Sequence, residues 1–215
     1  MSLLHSRADE LYGAHITHKD PHYLTAYNEL FEPLRNKSIS LLELGVSTGA
    51  SLALWSEYFP SARIAGVDIL SRPPLVPDLE RVEFFQGSQD DPIVLDRARL
   101  FLGGNFDVVI DDASHFGAET RRSFDWLFQH VRPGGYYVVE DCGSSFMNSF
   151  PDFGEYPPEP VGNKKRFPSH DYGIMGVTKQ IMDEMFLTFS HSGCGKGHIE
   201  SMLILPHIAF IKKSS

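Results

Sequence analysis

Short apolar runs alternate with amphipathic stretches from residue 38 onward, the rhythm of strands joined by crossover helices. SISLLELG (38–45), ARIAGVDI (62–69), RVEFFQG (81–87), FDVVID (106–111) and YYVVED (136–141) each read as a buried strand. Between them, ASLALWSEYF (50–59) carries apolar residues at helical spacing and stops at Pro60. DPIVLDRARLFL (91–102) opens with Asp91 as a cap and Pro92 in the first helical position, and AETRRSFDWLFQHV (118–131) reads as a further helix. Residues 143–172 have prolines, aromatics and no period, so they are expected to form a lid or binding loop. IMGVTKQIMDEMFLTF (174–189) resumes as a helix, with a methionine-rich face that suits core or subunit contact. HIESMLILPHIAFIKK (198–213) reads as two strands joined tightly at Pro206 and His207. The expected class is α/β, with βαβ units around a parallel sheet and helical additions before the first strand.

Composition narrows the partners. The 215 residues are 42% hydrophobic and 22% charged, enough for one large domain, and no segment reads as a linker. A formal net charge of −9 argues against nucleic acid, because phosphates call for lysine and arginine patches. Only Asn163 to Arg166 and the pair Lys212 and Lys213 are locally basic. No apolar run is long enough for a membrane span and the N-terminus has no signal core, so no membrane partner is expected. Cys142 and Cys194 show no metal or disulfide spacing, and the expectation is a soluble cytoplasmic protein with reduced thiols.

In open α/β sheets ligands gather beyond the carboxyl ends of the strands, and the polar groups of this chain fall there. The first strand runs into ELGVSTGAS, where Gly45 and Gly49 bound a turn of small residues that lets a ligand reach backbone N–H groups. The turn is neither G-x-G-x-x-G nor a phosphate loop, which disfavours a dehydrogenase or nucleotide-phosphate site. Asp68 ends the second strand, placed to accept both hydroxyls of a ribose; GSQDD (87–91) follows the third and offers either adenine contacts or a helix cap. The fourth strand delivers Asp111 and Asp112 with His115 three residues on, and the fifth delivers Glu140 and Asp141. Alternation along a strand prevents all four acids from converging, but Asp112, Glu140 and Asp141 can meet where the strands end. Carboxylates so close repel unless one is protonated or a cation sits among them, and an all-oxygen set suits Mg²⁺. The plainer alternative makes Asp111 a cap or loop acceptor and pairs Glu140 with an arginine such as Arg121.

The glycine turn and the acid ending the second strand resemble the class I S-adenosylmethionine-dependent methyltransferases, over about residues 38–213. LLELGVSTGASLALWSEYFPSARIAGVDI, FDVVIDDASHF and LFQHVRPGGYYVVED look, more narrowly, like the metal-dependent sugar O-methyltransferases of macrolide biosynthesis. The resemblance implies a Rossmann-like, mostly parallel seven-stranded sheet with an antiparallel closing strand and helices on both faces. It implies S-adenosylmethionine held by Glu43, Gly45, Ser47, Gly49 and Asp68, with Ser88, Gln89, Asp111 and Tyr23 as further cofactor contacts. It also implies Mg²⁺ on Asp112, Glu140 and Asp141, with Asp112 and His115 catalytic and His115 the general base. Ala113 stands where a glycine is expected, which is tolerable unless its φ is positive.

Residues 1–37 then form an extension covering the cofactor site, 38–215 the methyltransferase domain and 143–173 the substrate lid. His15, His18 and His22 are close in sequence, but Pro21 interrupts them and no cysteine assists, so cover over the cofactor is preferred to zinc. Tyr156, Phe167 and Tyr172 are candidates for stacking on an acceptor ring. The expected acceptor is a small hydroxylated molecule, a sugar or vicinal diol, and the expected assembly a homo-oligomer. The rivals are a catechol-type O-methyltransferase and a non-catalytic S-adenosylmethionine-binding subunit.

Overall fold

The computed structural model describes residues 19–154, 170–190 and 199–215, together with Leu4 and Ser6. Seven strands, β1 (Ser40–Leu44), β2 (Arg63–Asp68), β3 (Val82–Gln86), β4 (Phe106–Asp111), β5 (Val131–Val139), β6 (Ile199–Leu205) and β7 (Ile208–Lys213), form one sheet. Their order is β3-β2-β1-β4-β5-β7-β6, and β7 runs antiparallel to both of its neighbours while β1 to β5 pair in parallel. The order reverses between β1 and β4, and such a switch point opens a crevice above the strand ends. The helices are α1 (Pro21–Phe31), α2 (Ala50–Tyr58), α3 (Pro92–Phe101), α4 (Gly117–Leu127) and α5 (Gly173–Ser190).

Alternation along the strands sorts the core into two layers. Leu41, Ile64, Val108, Ile110, Val138 and Phe210 pack with α1 and α2 on one face. Leu42, Leu44, Ala65, Val109, Val139 and Ile211 pack with α3, α4 and α5 on the other. Tyr23, Tyr27 and Phe31, spaced at i, i+4 and i+8, put one face of α1 against the first layer, and the Tyr27 ring meets Trp55 at 5.1 Å and Phe210 at 5.3 Å. Each such side chain stabilises the docking by roughly 1.5–3 kcal/mol. Asp20 caps the helix by accepting from the His22 N–H, and Pro21, rather than interrupting the segment, begins it.

Three boundaries differ from expectation. β5 starts at Val131, five residues early, because the Arg132 to Gly135 segment is an irregularity inside the strand and not a turn before it. Gly134 takes φ +76°, and a Cβ on Gly135 would lie 2.7 Å from the Asp107 carbonyl oxygen, so both positions need glycine. α4 ends at Leu127 and tightens into a short 3-10 turn, Phe128–His130. Glu140 and Asp141 lie just past β5, and the expected lid begins with the 3-10 segment Cys142–Phe146. Tyr156, Phe167 and the basic residues 164–166 lie outside the described residues, as do His15, His18 and Cys194.

Candidate active site

Glu43, Asp112 and Glu140 belong by alternation to the α1/α2 face, at the tops of the neighbouring strands β1, β4 and β5. Their carboxylates converge on one cation, the Lys19 ammonium. Lys19 Nζ lies 2.7 Å from Glu140 Oε1, 3.0 Å from Asp112 Oδ2 and 3.2 Å from Glu43 Oε1. Burial disfavours the ammonium, but Asp112, Glu140 and Glu43 more than reverse this and hold its pKa well above the usual lysine range. Burial and the adjacent Asp112 push the Glu140 carboxyl up to about 8, against the pull of Lys19 and of the hydrogen bond from Tyr27. Burial also raises Glu43, against the pull of Lys19 and a hydrogen bond from Ser51, and its Oε1 accepts a long bond from Trp55. Glu43 therefore faces the acidic cluster beneath the cavity wall instead of the open cofactor turn.

The turn after β1 is shaped by contacts that only glycine allows. Gly45 has φ +82°, and a Cβ there would lie 2.0 Å from the Asp112 carbonyl oxygen; Gly49, at φ +90°, would collide with the Val76 backbone at 2.6 Å. Asp68 Oδ2 accepts from the N–H groups of Val46 at 2.8 Å and Ser47 at 3.0 Å, and Oδ1 accepts from Leu70 at 2.9 Å. Asp68 thus braces the turn as well as facing the cavity. Gly49 stands behind that turn and does not line the cavity, so its part is conformational.

A second group gathers at the crevice mouth. One ligand atom each of Asp112, His115 and Asp141 lie within 4.8 Å of one another. His115 Nε2 is 3.6 Å from Asp141 Oδ2, its Nδ1 is buried without a partner, and its ring stands edge-on to Phe150 at 5.9 Å. Nε2 is consequently the nitrogen available to a ligand. Asp141 Oδ1 accepts from the Tyr23 hydroxyl at 2.8 Å, and that hydroxyl also lies 3.1 Å from the His207 carbonyl oxygen. Ser47, His115, Asp141 and His207 are the non-glycine residues with positive φ among the described residues, and all four stand on loops at this end of the sheet. Strained backbone of this kind persists where surrounding contacts fix it, often at ligand sites. Ala113 is not among them, so its methyl group is accommodated.

Asp111 corrects the expectation of a cofactor contact. Alternation points it to the opposite face from Asp112, where Oδ1 accepts from Gln89 Nε2 at 3.0 Å and Oδ2 from the Tyr137 hydroxyl at 2.9 Å. It is buried and does not line the cavity. Gln89 does line it, while its Oε1 accepts from the Ser114 N–H at 2.9 Å and ties down the loop carrying His115. Ser88 lines the cavity too, its hydroxyl donating to Asp90. His22, expected near the cofactor, instead bonds Asp20 and the Pro206 carbonyl oxygen outside the cavity. Arg121 pairs with Asp125 and Glu184, not with Glu140.

Gly45, Ser47, Asp68, Ser88 and Gln89 on one side and Asp112, His115, Glu140 and Asp141 on the other line a single cavity of about 680 Å³, with Tyr23 at its edge. An alignment of 138 residues is 42% identical to mycinamicin VI 2''-O-methyltransferase of Micromonospora griseorubida, covering 60% of this chain and 34% of that protein. Demethylmacrocin O-methyltransferase of Streptomyces fradiae is 30% identical over 221 positions, covering 95% of this chain and 52% of that protein. The solved structure of MycE methyltransferase from the mycinamycin biosynthetic pathway with Mg, SAH and mycinamycin VI superposes at a TM-score of 0.71 with 31% identity. That superposition covers 89% of this chain and 49% of MycE. The fold is that of a class I methyltransferase. No family model matches the chain, which spans about half or less of the length of these relatives.

Within this methyltransferase fold, two groups at the site were missed by sequence reasoning. Lys19 and Tyr27 both hold Glu140 from the N-terminal segment. A signal for them exists: three acids sharing one face at adjacent strand ends require a counter-charge, and Lys19 directly precedes the capped helix. No helix among the described residues is long and apolar enough to cross a membrane.

Proposed function

We propose that this chain is an S-adenosylmethionine- and Mg²⁺-dependent O-methyltransferase domain that modifies a sugar hydroxyl of a natural product. The observation that carries the reading is the single cavity joining the β1 turn and Asp68 to Asp112, His115 and Asp141. MycE, a structural relative, is described with Mg and SAH bound, which supports the same pair of groups here. Asp68, the turn at Gly45 to Ser47 and the Ser88–Gln89 segment would hold the cofactor, and Tyr23 would close its edge. Asp112 and Asp141, whose oxygens come within 4.8 Å of each other and of His115, would hold a hard divalent ion, with Glu140 joining them from its place on Lys19. Bound there, the ion supplies positive charge that lowers the pKa of a neighbouring acceptor hydroxyl.

The chain's own residues carry the rest. The acceptor oxygen attacks the cofactor methyl carbon as the carbon–sulfur bond breaks, giving a methyl ether and S-adenosylhomocysteine. The hydroxyl proton passes to His115 Nε2, whose ring is fixed by Phe150 and faces Asp141. The crevice positions both reactants, which supplies much of the acceleration. Residues 1–37 act as a cover and 143–173 as the acceptor lid. The reading includes a cytoplasmic homo-oligomer, supported by the exposed apolar Leu203 and Ile204 on the edge strand β6 and by the free thiol of Cys142. Incubation with S-adenosylmethionine, Mg²⁺ and a deoxysugar-bearing macrolide tests it. S-adenosylhomocysteine and methylated sugar should form together, exhaustive chelation should abolish both, and His115→Gln should slow turnover by about 10²–10⁴. Turnover that survives chelation removes the metal from the reading.

A further inference from the structure

The acidic centre already holds a cation supplied by the chain. Lys19 Nζ sits between Asp112 Oδ2 and Glu140 Oε1, two of the oxygens proposed above to hold the divalent ion. The ammonium–oxygen distances of 2.7 to 3.2 Å are far longer than the roughly 2.0–2.1 Å that Mg²⁺ demands. Carboxylates drawn in to that distance leave no room for the ammonium, and the like charges repel. A single ammonium is also shared by three acidic side chains, Glu140, Asp112 and Glu43. The cluster therefore favours a stronger cation than the one it holds.

We propose that Lys19 is a resident counter-ion, displaced when a divalent cation binds Asp112 and Glu140, so that metal entry and exposure of the Lys19 ammonium are one event. The proposal rests on the functional reading above. Lys19 stands just ahead of the Asp20 cap, so its side chain swings out without unpacking Tyr23, Tyr27 or Phe31 from the sheet. In the metal-free protein the lysine keeps the carboxylates from repelling one another. A displacement that must precede binding weakens apparent affinity by the fraction of molecules in which the ammonium has left.

Two measurements on the full chain test this, with Mn²⁺ as the probe. By titration calorimetry or electron paramagnetic resonance, Lys19→Met should bind Mn²⁺ about tenfold more tightly than the wild type. In the wild type, amine acetylation read by mass spectrometry should show Lys19 protected without metal and labelled several-fold faster at saturating Mn²⁺, with Lys212 unchanged. The second measurement needs no variant and so does not depend on how Lys19→Met folds. Equal or weaker binding by Lys19→Met, or a Lys19 that stays protected in the metal-bound protein, overturns the displacement while leaving the metal site standing. Failure of Mn²⁺ to bind either protein overturns the functional reading as well.

Discussion

Asp111 and Asp112 are chemically identical neighbours with opposite lives. Asp112 looks into the crevice; Asp111 is sealed on the other face between Tyr137 and Gln89. Burial, followed by the charge of Asp112, pushes the Asp111 carboxyl up to about 7, against the hydrogen bond from Tyr137. Its folded pKa lies above the unfolded value near 4, so its contribution to stability is full below about pH 4 and is lost as pH rises through about 7. Asp111→Asn removes that loss. Measured by urea denaturation from pH 4 to pH 8, the stability of the variant relative to wild type should improve by on the order of a few kcal/mol. A difference that stays flat across that range shows Asp111 already ionised at low pH. The fate of this residue was legible in principle: once Val108 and Ile110 face α1, position 111 must face away, and only the end of the strand at 112 restores the crevice side. Lys19 was not legible in that way, because its role depends on three acids brought together from residues 43, 112 and 140.

α1 connects packing to chemistry. Phe31 is fully buried against Phe59, Tyr136 and Phe210, while Tyr23 and Tyr27 of the same helix reach Asp141 and Glu140. Phe31→Ala should cost about 3–5 kcal/mol in denaturant melts. Because the two tyrosines then lose their footing, Mn²⁺ affinity should fall as well; unchanged affinity would mean that the helix serves packing alone. Other elements show why boundaries are harder to read than elements. The run YYVV announced β5, yet the strand starts earlier, since Gly134 and Gly135 let the chain pass an irregularity that a proline and two glycines normally mark as a turn. The segment leading into α1 offered a proline that suggested interruption, whereas Pro21 sits where a first turn tolerates it.

Across the described residues, cavity and fold share one axis, the switch point between β1 and β4. The strands and the position of the crevice followed from the alternation of apolar runs and from the acids at their ends; an N-terminal cover was expected too, but not the Lys19 and Tyr27 contacts to Glu140 that its described part makes. S-adenosylhomocysteine at a hundredfold its dissociation constant should stabilise the chain by about 2.7 kcal/mol, seen as a rise in melting temperature by differential scanning fluorimetry. No rise would leave the cavity without its expected occupant. The arrangement also carries a hereditary constraint. A single-residue deletion inside β4 would preserve a run of apolar letters but exchange the sealed acid for the open one, carrying a carboxylate out of the crevice and its twin into it. Lengthening or shortening that strand is therefore harsher than almost any substitution within it, and viable descendants of this chain should vary β4 in letters but never in count.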